Sequence, residues 1–319
     1  MWEQGMQRIR SAYCVDLNRT VSVGEARMAY FSMDPRPKKF HYLCSHPACQ
    51  AKGVRIVGAN VHKLAKDERY YATPYFRTHP GDLHVAGCPW LGDEEPVKQR
   101  EGESETDFLQ RQARAKLTDF IGLFDPGDNE QGEGGEVSSV AQGGNLAGGL
   151  SQAHVGASRG SRQPGHSQTK LLDRLVDTFE ESRHLLTREE RARLTIQVKG
   201  EGTVPLLSYF WHIARCYPGL RNRVIYGGAH LKSYREGFRL TFIDKMDAPD
   251  GEGACNVVLY IAPQRMREYR YRGYIQEVIR RDPPYIKVFA LGKMAFNPER
   301  RVMEVYIDSL NHLALRSPQ

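Results

Sequence analysis

Hydrophobic and polar positions change their period several times along the 319-residue chain. Near the start, Tyr13, Val15 and Leu17 alternate with polar neighbours and run into Asn18-Arg19, so "AYCVDLNRTVSVGEA" predicts a hairpin-like pair of strands. "FHYLC" and "VRIVGA" predict further strands. In "SETDFLQRQARAKLTDFIGLF" the period becomes helical, with Phe108, Leu109, Ala113, Leu117, Phe120 and Ile121 on one face. That helix is expected to pack against the small sheet and to end a first body at residue 124.

From 125 to 169 the apolar pattern disappears into Gly, Ser, Gln and Glu. Such a segment buries too little apolar area to offset its ordering entropy, which predicts a flexible linker between two bodies. Helical spacing returns in "KLLDRLVDTFEES", with Leu171, Leu172, Leu175, Val176 and Phe179 on one face. Thr187 and Glu190 form a capping-box start for a second helix, and "VPLLSYFWHIARCY" predicts a third. Strand-like alternation then dominates, at about 223–231, 237–245, 256–262, 285–294 and 301–315, with one helix, "RMREYRYRGYIQEVIRR", between the third and fourth strands. The expected class is α+β: a β-rich module at 1–124, a linker at 125–169, and helices followed by a five-stranded barrel at 170–319, the barrel itself covering about 223–315.

Composition narrows the setting. A hydrophobic content of 40% and a mean hydropathy of −0.56 describe a soluble globular chain. No stretch approaches the roughly 20 apolar residues that span a bilayer, and "MWEQGMQRIRSAY" lacks the apolar core of a secretory signal, so a cytoplasmic protein without a membrane partner is expected. Six cysteines are too few for a disulfide scaffold of this length. Cys14, Cys216 and Cys255 lie among apolar residues and read as small core side chains. The net charge of +7 is concentrated late: from Pro205 onward there are 18 Lys and Arg against 11 Asp and Glu. A localised excess of that kind suits a polyanionic partner, although a solvated basic face has the same composition.

The remaining cysteines form a pattern. Cys44 and Cys49 are spaced C-x4-C in "CSHPAC", and His84 and Cys88 are spaced H-x3-C in "HVAGC", with Pro47 and Gly87 supplying turns. Zinc takes four soft or borderline donors in a tetrahedron, commonly as two close pairs on knuckle-like turns, so these four residues are the expected ligands of a structural zinc ion, with His46 and His79 as spare candidates. Four protein ligands close the coordination sphere and leave no open position for chemistry; the ion would instead stabilise a small sheet.

With "VDLNRTVSVGEA", the Cys44-x4-Cys49 pair and "PYFRTHPGDLHVAGCP" in that order, residues from about Tyr13 to Trp90 resemble the zinc-finger-like module that begins competence CoiA-like proteins. The resemblance implies a bacterial origin and a DNA-uptake or mobile-element setting. It also implies a test for a nuclease of the PD-(D/E)xK type, which needs acidic metal ligands and a lysine on adjacent strands. The sequence offers no E-x-K; Gln197-Val198-Lys199 is its nearest mimic, with no obvious Asp-bearing strand beside it.

Five strands with a helix between the third and fourth resemble an OB-fold, and the last two, from "YIKVFALGKMAF" onward, look like its closing hairpin, with Gly292 allowing a bend and Asn297-Pro298 a turn. Alternation assigns Phe238, Leu240, Phe242, Ile286, Val288, Ala290, Met303, Val305 and Ile307 to the interior. It assigns Arg239, Tyr260, Lys287, Phe289 and Lys293 to the outside. With Lys232, Tyr234 and Arg235 in one flanking loop and Arg300 and Arg301 in the other, these residues supply the stacking rings and cations that a single nucleic-acid strand requires. The outer aromatics have an alternative use, packing against the helices at 171–217. The expected function is non-enzymatic binding of single-stranded nucleic acid, DNA favoured, by a barrel tethered to a zinc module. A metal-dependent nuclease and an adaptor with protein partners are the alternatives.

Overall fold

A computed structural model describes residues 9, 11–63, 74–88, 90, 99, 101–117, 120–127 and 167–316. Most of the expected linker, 128–166, lies outside the described residues, as do 71–73.

The N-terminal sheet is antiparallel in the order β2-β1-β3-β4-β5, formed by β1 (Ser11–Cys14), β2 (Arg19–Ser22), β3 (Tyr42–Cys44), β4 (Arg55–Ala59) and β5 (Tyr75–Thr78). The expected hairpin is β1–β2, turning at Asn18 with φ of +50°. Directly after it comes α1 (Val23–Ser32), started by a Ser22–Glu25 capping box. No apolar stripe signals this helix, because Gly24 to Phe31 are all buried, covered by elements on several sides.

Helix α3 (Glu105–Ala115) departs from expectation. It packs against α5 (Arg188–Arg193) rather than the N-terminal sheet, with Lys116 paired to Glu190 and Gln110 Nε2 donating to the Arg193 carbonyl at 2.6 Å. Ile121 belongs not to the helix but to β6 (Ile121–Phe124), which runs parallel to both β7 (Ser167–Thr169) and β8 (Thr195–Val198), with β9 (Gly202–Pro205) antiparallel beyond. Strands from both sides of 128–166 therefore share one sheet, and the division into two bodies at 124 and 170 does not describe the packing.

The C-terminal strands close a five-stranded barrel in the order β11-β12-β14-β16-β15 and back to β11: β11 (Arg221–Tyr234), β12 (Gly237–Phe242), β14 (Ala254–Ile261), β15 (Ile286–Asn297) and β16 (Val302–Tyr306). β14 and β16 are parallel and the other pairs antiparallel. The short β13 (Met246–Asp247) pairs with β14. All nine residues assigned to the interior are buried. The expected 301–315 strand is two, β16 and β17 (Leu313–Arg316), separated by a 3-10 turn at Leu310–His312, with β17 pairing onto β15. The single helix expected between the third and fourth strands is likewise two, α7 (Pro263–Glu268) and α8 (Arg272–Arg280), with Tyr271, Ile275 and Val278 buried. The third helix expected before the barrel is only α6 (Leu206–Tyr209), because the following residues form β10 (Phe210–His212), drawn into a parallel pairing with β11.

Two helices dock on this barrel. α4 (Leu172–Leu185) buries Leu172, Leu175, Val176 and Phe179, and its Asp173 and Asp177 hold Arg316 of β17, a side chain only 9% exposed. α1 packs on α8, where a Cβ at Gly273 would stand 2.6 Å from Ser32 Cα and 2.8 Å from the Phe31 carbonyl oxygen. The N-terminal module is thus fixed to the barrel by direct helix contact.

Gly292 has a comparable constraint inside the barrel: a Cβ there would overlap the Tyr306 carbonyl oxygen of β16. Backbone cannot yield as a side chain tip can. Gly292→Ala is expected to destabilise the protein by about 3 kcal/mol, read as a lowered midpoint in thermal or urea unfolding of the full chain. An unchanged midpoint would show that the two strands do not pack this closely.

Candidate metal centre and nucleic-acid face

Three segments of the N-terminal module converge to bring Cys44, Cys49, His84 and Cys88 together. Cys44 ends β3, and Cys49 lies on α2 (Pro47–Ala51), a single turn opened by Pro47. His84 and Cys88 lie on the loop after β5, where Gly87 adopts φ of +81°. The four donor atoms all lie within 4.8 Å of one another, with the three cysteines buried.

Three of the six donor separations lie close to the edges of a four-coordinate site. Cys44 Sγ and Cys88 Sγ are 3.8 Å apart, Cys49 Sγ and His84 Nδ1 3.6 Å, and Cys88 Sγ and His84 Nδ1 3.3 Å. A tetrahedron with metal–sulfur bonds of about 2.3 Å and a metal–nitrogen bond of about 2.0 Å has sulfur–sulfur edges of about 3.8 Å and sulfur–nitrogen edges of about 3.5 Å. The surroundings fix each donor: His84 Nε2 lies 2.9 Å from Thr78 Oγ1, which orients the ring with Nδ1 toward the sulfurs. Backbone N–H groups of Val85 and His46 point at Cys49 Sγ (3.3 Å) and Cys44 Sγ (3.5 Å). The cluster could therefore hold a metal ion. Neither His46 nor His79 belongs to it.

Burial pushes the Cys44 thiol up to about 12 and raises the Cys88 thiol, while burial, reinforced by His46, lowers the His84 imidazole toward its neutral form. Nitrogen is thereby ready to ligate, whereas the sulfurs must lose protons when a cation enters, so binding weakens on acidification.

The barrel residues divide into three groups. Lys232, Arg239 and Tyr260 stand side by side on β11, β12 and β14 through the register pairs Lys232–Arg239 and Arg239–Tyr260. Lys232 Nζ and Arg239 Cζ lie 5.7 and 6.0 Å from the centre of the Tyr234 ring, and Tyr260 is 57% exposed. Arg235 occupies the adjacent tight turn at φ of +52°, exposed. These five residues form one open cationic and aromatic face.

A second group lies further round. Lys293 is exposed on β15 opposite Tyr306, and Arg300 is exposed in the β15–β16 turn. Arg301 in that turn is engaged by Asp250 at 3.4 Å and Glu252 at 3.7 Å, so its charge is largely balanced.

The third group corrects the expectation. Phe289 points outward from the barrel but is fully buried, its ring stacked on Tyr226 (5.5 Å) and edge-on to Phe179 and Phe210 (both 6.3 Å). Lys287 is paired with Glu180 of α4. Both lie on the part of the barrel wall that α4 covers, so Phe289 is core and offers no platform to a base.

Tyr306 belongs with the open face. Extending the β14–β16 register by one residue sets it beside Tyr260, and it is 43% exposed. The alternation that turns Met303, Val305 and Ile307 inward turns Tyr306 outward, a signal present in the sequence. No protein-family model, curated protein or solved structure matches this chain.

The metal cluster has a direct test. Full-length protein is expected to take up one Co²⁺ per chain with the visible absorption of a tetrahedral sulfur-ligated site, and Cys88→Ser to weaken or abolish that uptake. A six-coordinate spectrum, or uptake unaffected by Cys88→Ser, would remove the site.

Proposed function

We propose that this protein binds single-stranded nucleic acid without catalysing a reaction, through the open face of an OB-like barrel, and that its N-terminal module is held by structural zinc. The observation that carries the reading is the Lys232–Tyr234–Arg239–Tyr260 group, in which two exposed cations flank the half-buried Tyr234 ring and the exposed Tyr260 ring stands clear for stacking. The closed strand order, with the third and fifth barrel strands parallel and two helices between the third and fourth, supports an OB-like barrel. Zinc is favoured among metals by the three-sulfur, one-imidazole donor set and its tetrahedral edges. DNA is favoured over RNA by the CoiA-like character of the zinc module alone.

A nuclease is the second reading. Asp125, just beyond β6, lies beside the parallel strand β8, and its Oδ2 is 2.9 Å from Lys199 Nζ. This is the acidic neighbour that Gln197-Val198-Lys199 lacks on sequence grounds. It ranks second because the carboxylate is already engaged by Lys199 and the Gly127 N–H, and Mg²⁺ requires several oxygen ligands. Mg²⁺-dependent cleavage of DNA, lost in Asp125→Asn, would promote it above the first.

Binding to a fluorescent oligonucleotide, followed by anisotropy with the full chain, tests the leading reading. With Lys232, Arg235, Arg239 and Lys293 on phosphates, log K is expected to fall against log salt with a slope of about −3, and Arg239→Ala to reduce the slope by about 0.7. Tyr260→Ala is expected to cost about 1–3 kcal/mol, with little effect on the slope. Absence of binding at low salt would overturn the reading, as would binding indifferent to both substitutions.

A further inference from the structure

The open face leads into a cavity of about 710 Å³ between the barrel and the β8–β9 turn. Following the strand register outward from Lys232 gives Arg239, Tyr260, Tyr306, then Lys293 and finally Arg221, the last two lining the cavity. Arg221 reaches that position through a bulge. Val224 opposes Leu291 and Arg223 opposes Gly292, so an uninterrupted ladder would set Asn222 against Lys293. The register instead shifts between Arg221 and Arg223, with Asn222 at φ of +56°, and Arg221 is the residue placed opposite Lys293. A bulge with a non-glycine residue in the left-handed region is a local cost, and such irregularities commonly re-aim a side chain at a site.

Charge within the cavity is unevenly committed. Lys199 is held by Asp125, and Glu201 by Arg223 at 2.5 Å. Among the described residues neither Arg221 nor Lys293 has an ion-pair partner, and both are exposed. Asp308, exposed on the lining, is an acceptor suited to a sugar hydroxyl. Leu291 and Met294 supply apolar wall. Two adjacent free cations, one of them a guanidinium, match a dianionic phosphomonoester better than the singly charged diester of a continuous strand. The volume lies within the range of small-ligand pockets, of order 300–1,000 Å³, and suits one nucleotide.

We propose that this cavity receives the phosphorylated end of the nucleic-acid strand, with Arg221 and Lys293 on the terminal phosphate and the rest of the strand lying on the barrel face. The proposal rests on the nucleic-acid reading of that face. It adds that the protein distinguishes strand ends from strand interiors.

The test uses the full chain and one oligonucleotide sequence in three forms: 5′-phosphorylated, 3′-phosphorylated and unphosphorylated. One phosphorylated form is expected to bind about tenfold more tightly than the unphosphorylated form, the size of one charge-assisted hydrogen bond. In Arg221→Gln that ratio is expected to fall to near one, whereas Arg239→Ala weakens all forms and preserves it. Equal binding of the three forms, or a ratio that survives Arg221→Gln, would overturn the proposal while leaving strand binding intact. If no strand binds, the reading of the face fails and the cavity is judged by titration with a deoxynucleoside monophosphate against the deoxynucleoside. Phosphate-dependent binding lost in Arg221→Gln would sustain the pocket, and no binding would end it.

Discussion

β11 is long enough to serve two partners, and the barrel depends on that length. Its C-terminal half pairs with β12 from Ala229 to Tyr234, and its N-terminal half pairs with β15 from Arg221 to Ala229, so Ala229 sits in both ladders and closes the ring. One strand crossing the whole barrel has a consequence for access. α4, β10 and β17 lie against the N-terminal half of β11 and the facing part of β15, which puts Val224, Phe289 and Leu291 into a second hydrophobic core. Among the described residues nothing comparable covers the outer side of the C-terminal half of β11 with β12 and β14, and there Lys232, Arg239 and Tyr260 are exposed.

That division explains which parts of the candidate site were legible in the sequence. Period-two alternation tells which side of a strand a residue faces, and it placed the interior residues, Arg239, Tyr260 and Phe289 on their observed sides. It carries no information about what covers the outer side. Phe289 and Tyr260 look alike in sequence, yet one is fully buried and the other 57% exposed, because α4 comes from a segment more than a hundred residues before Phe289. The cysteine and histidine cluster was more legible because each half is local, set by a short spacing around a turn, and only the meeting of the two halves needed the fold. Helix α1 and strand β6 had weak signals for opposite reasons. The first is buried all round and so has no polar face, and the second is four residues whose partners lie beyond residue 166.

Buried charge at the junction is held by pairing. Arg316 on the last strand meets Asp173 and Asp177 on α4, with the Asp173 carbonyl accepting from Nη2 at 3.0 Å. A guanidinium this enclosed costs several kcal/mol to desolvate, and its carboxylate partners, Asp173, Asp177 and, at 3.8 Å, Glu180, offset that cost only in this geometry. The arrangement therefore contributes less to net stability than to register, tying the angle of α4 to the end of β17 and so to the wall that α4 covers.

The same logic bears on how the N-terminal module relates to the barrel. A flexible tether would act by effective concentration, which requires two bodies free to move. Here α1 lies against α8 at a glycine contact too close for any side chain, Tyr274 N–H donates to Ser32 Oγ at 3.2 Å, and Arg36 reaches Glu277 at 3.4 Å. The first two of these contacts involve backbone, so the module has a fixed orientation on the barrel. A metal ion in the four-residue cluster would tie together loops of the sheet from which α1 emerges, linking Cys44 of β3 to the segment after β5. The chain of contact then runs from the sheet through α1 to α8, the second of the two helices between β14 and β15, which itself packs against β17.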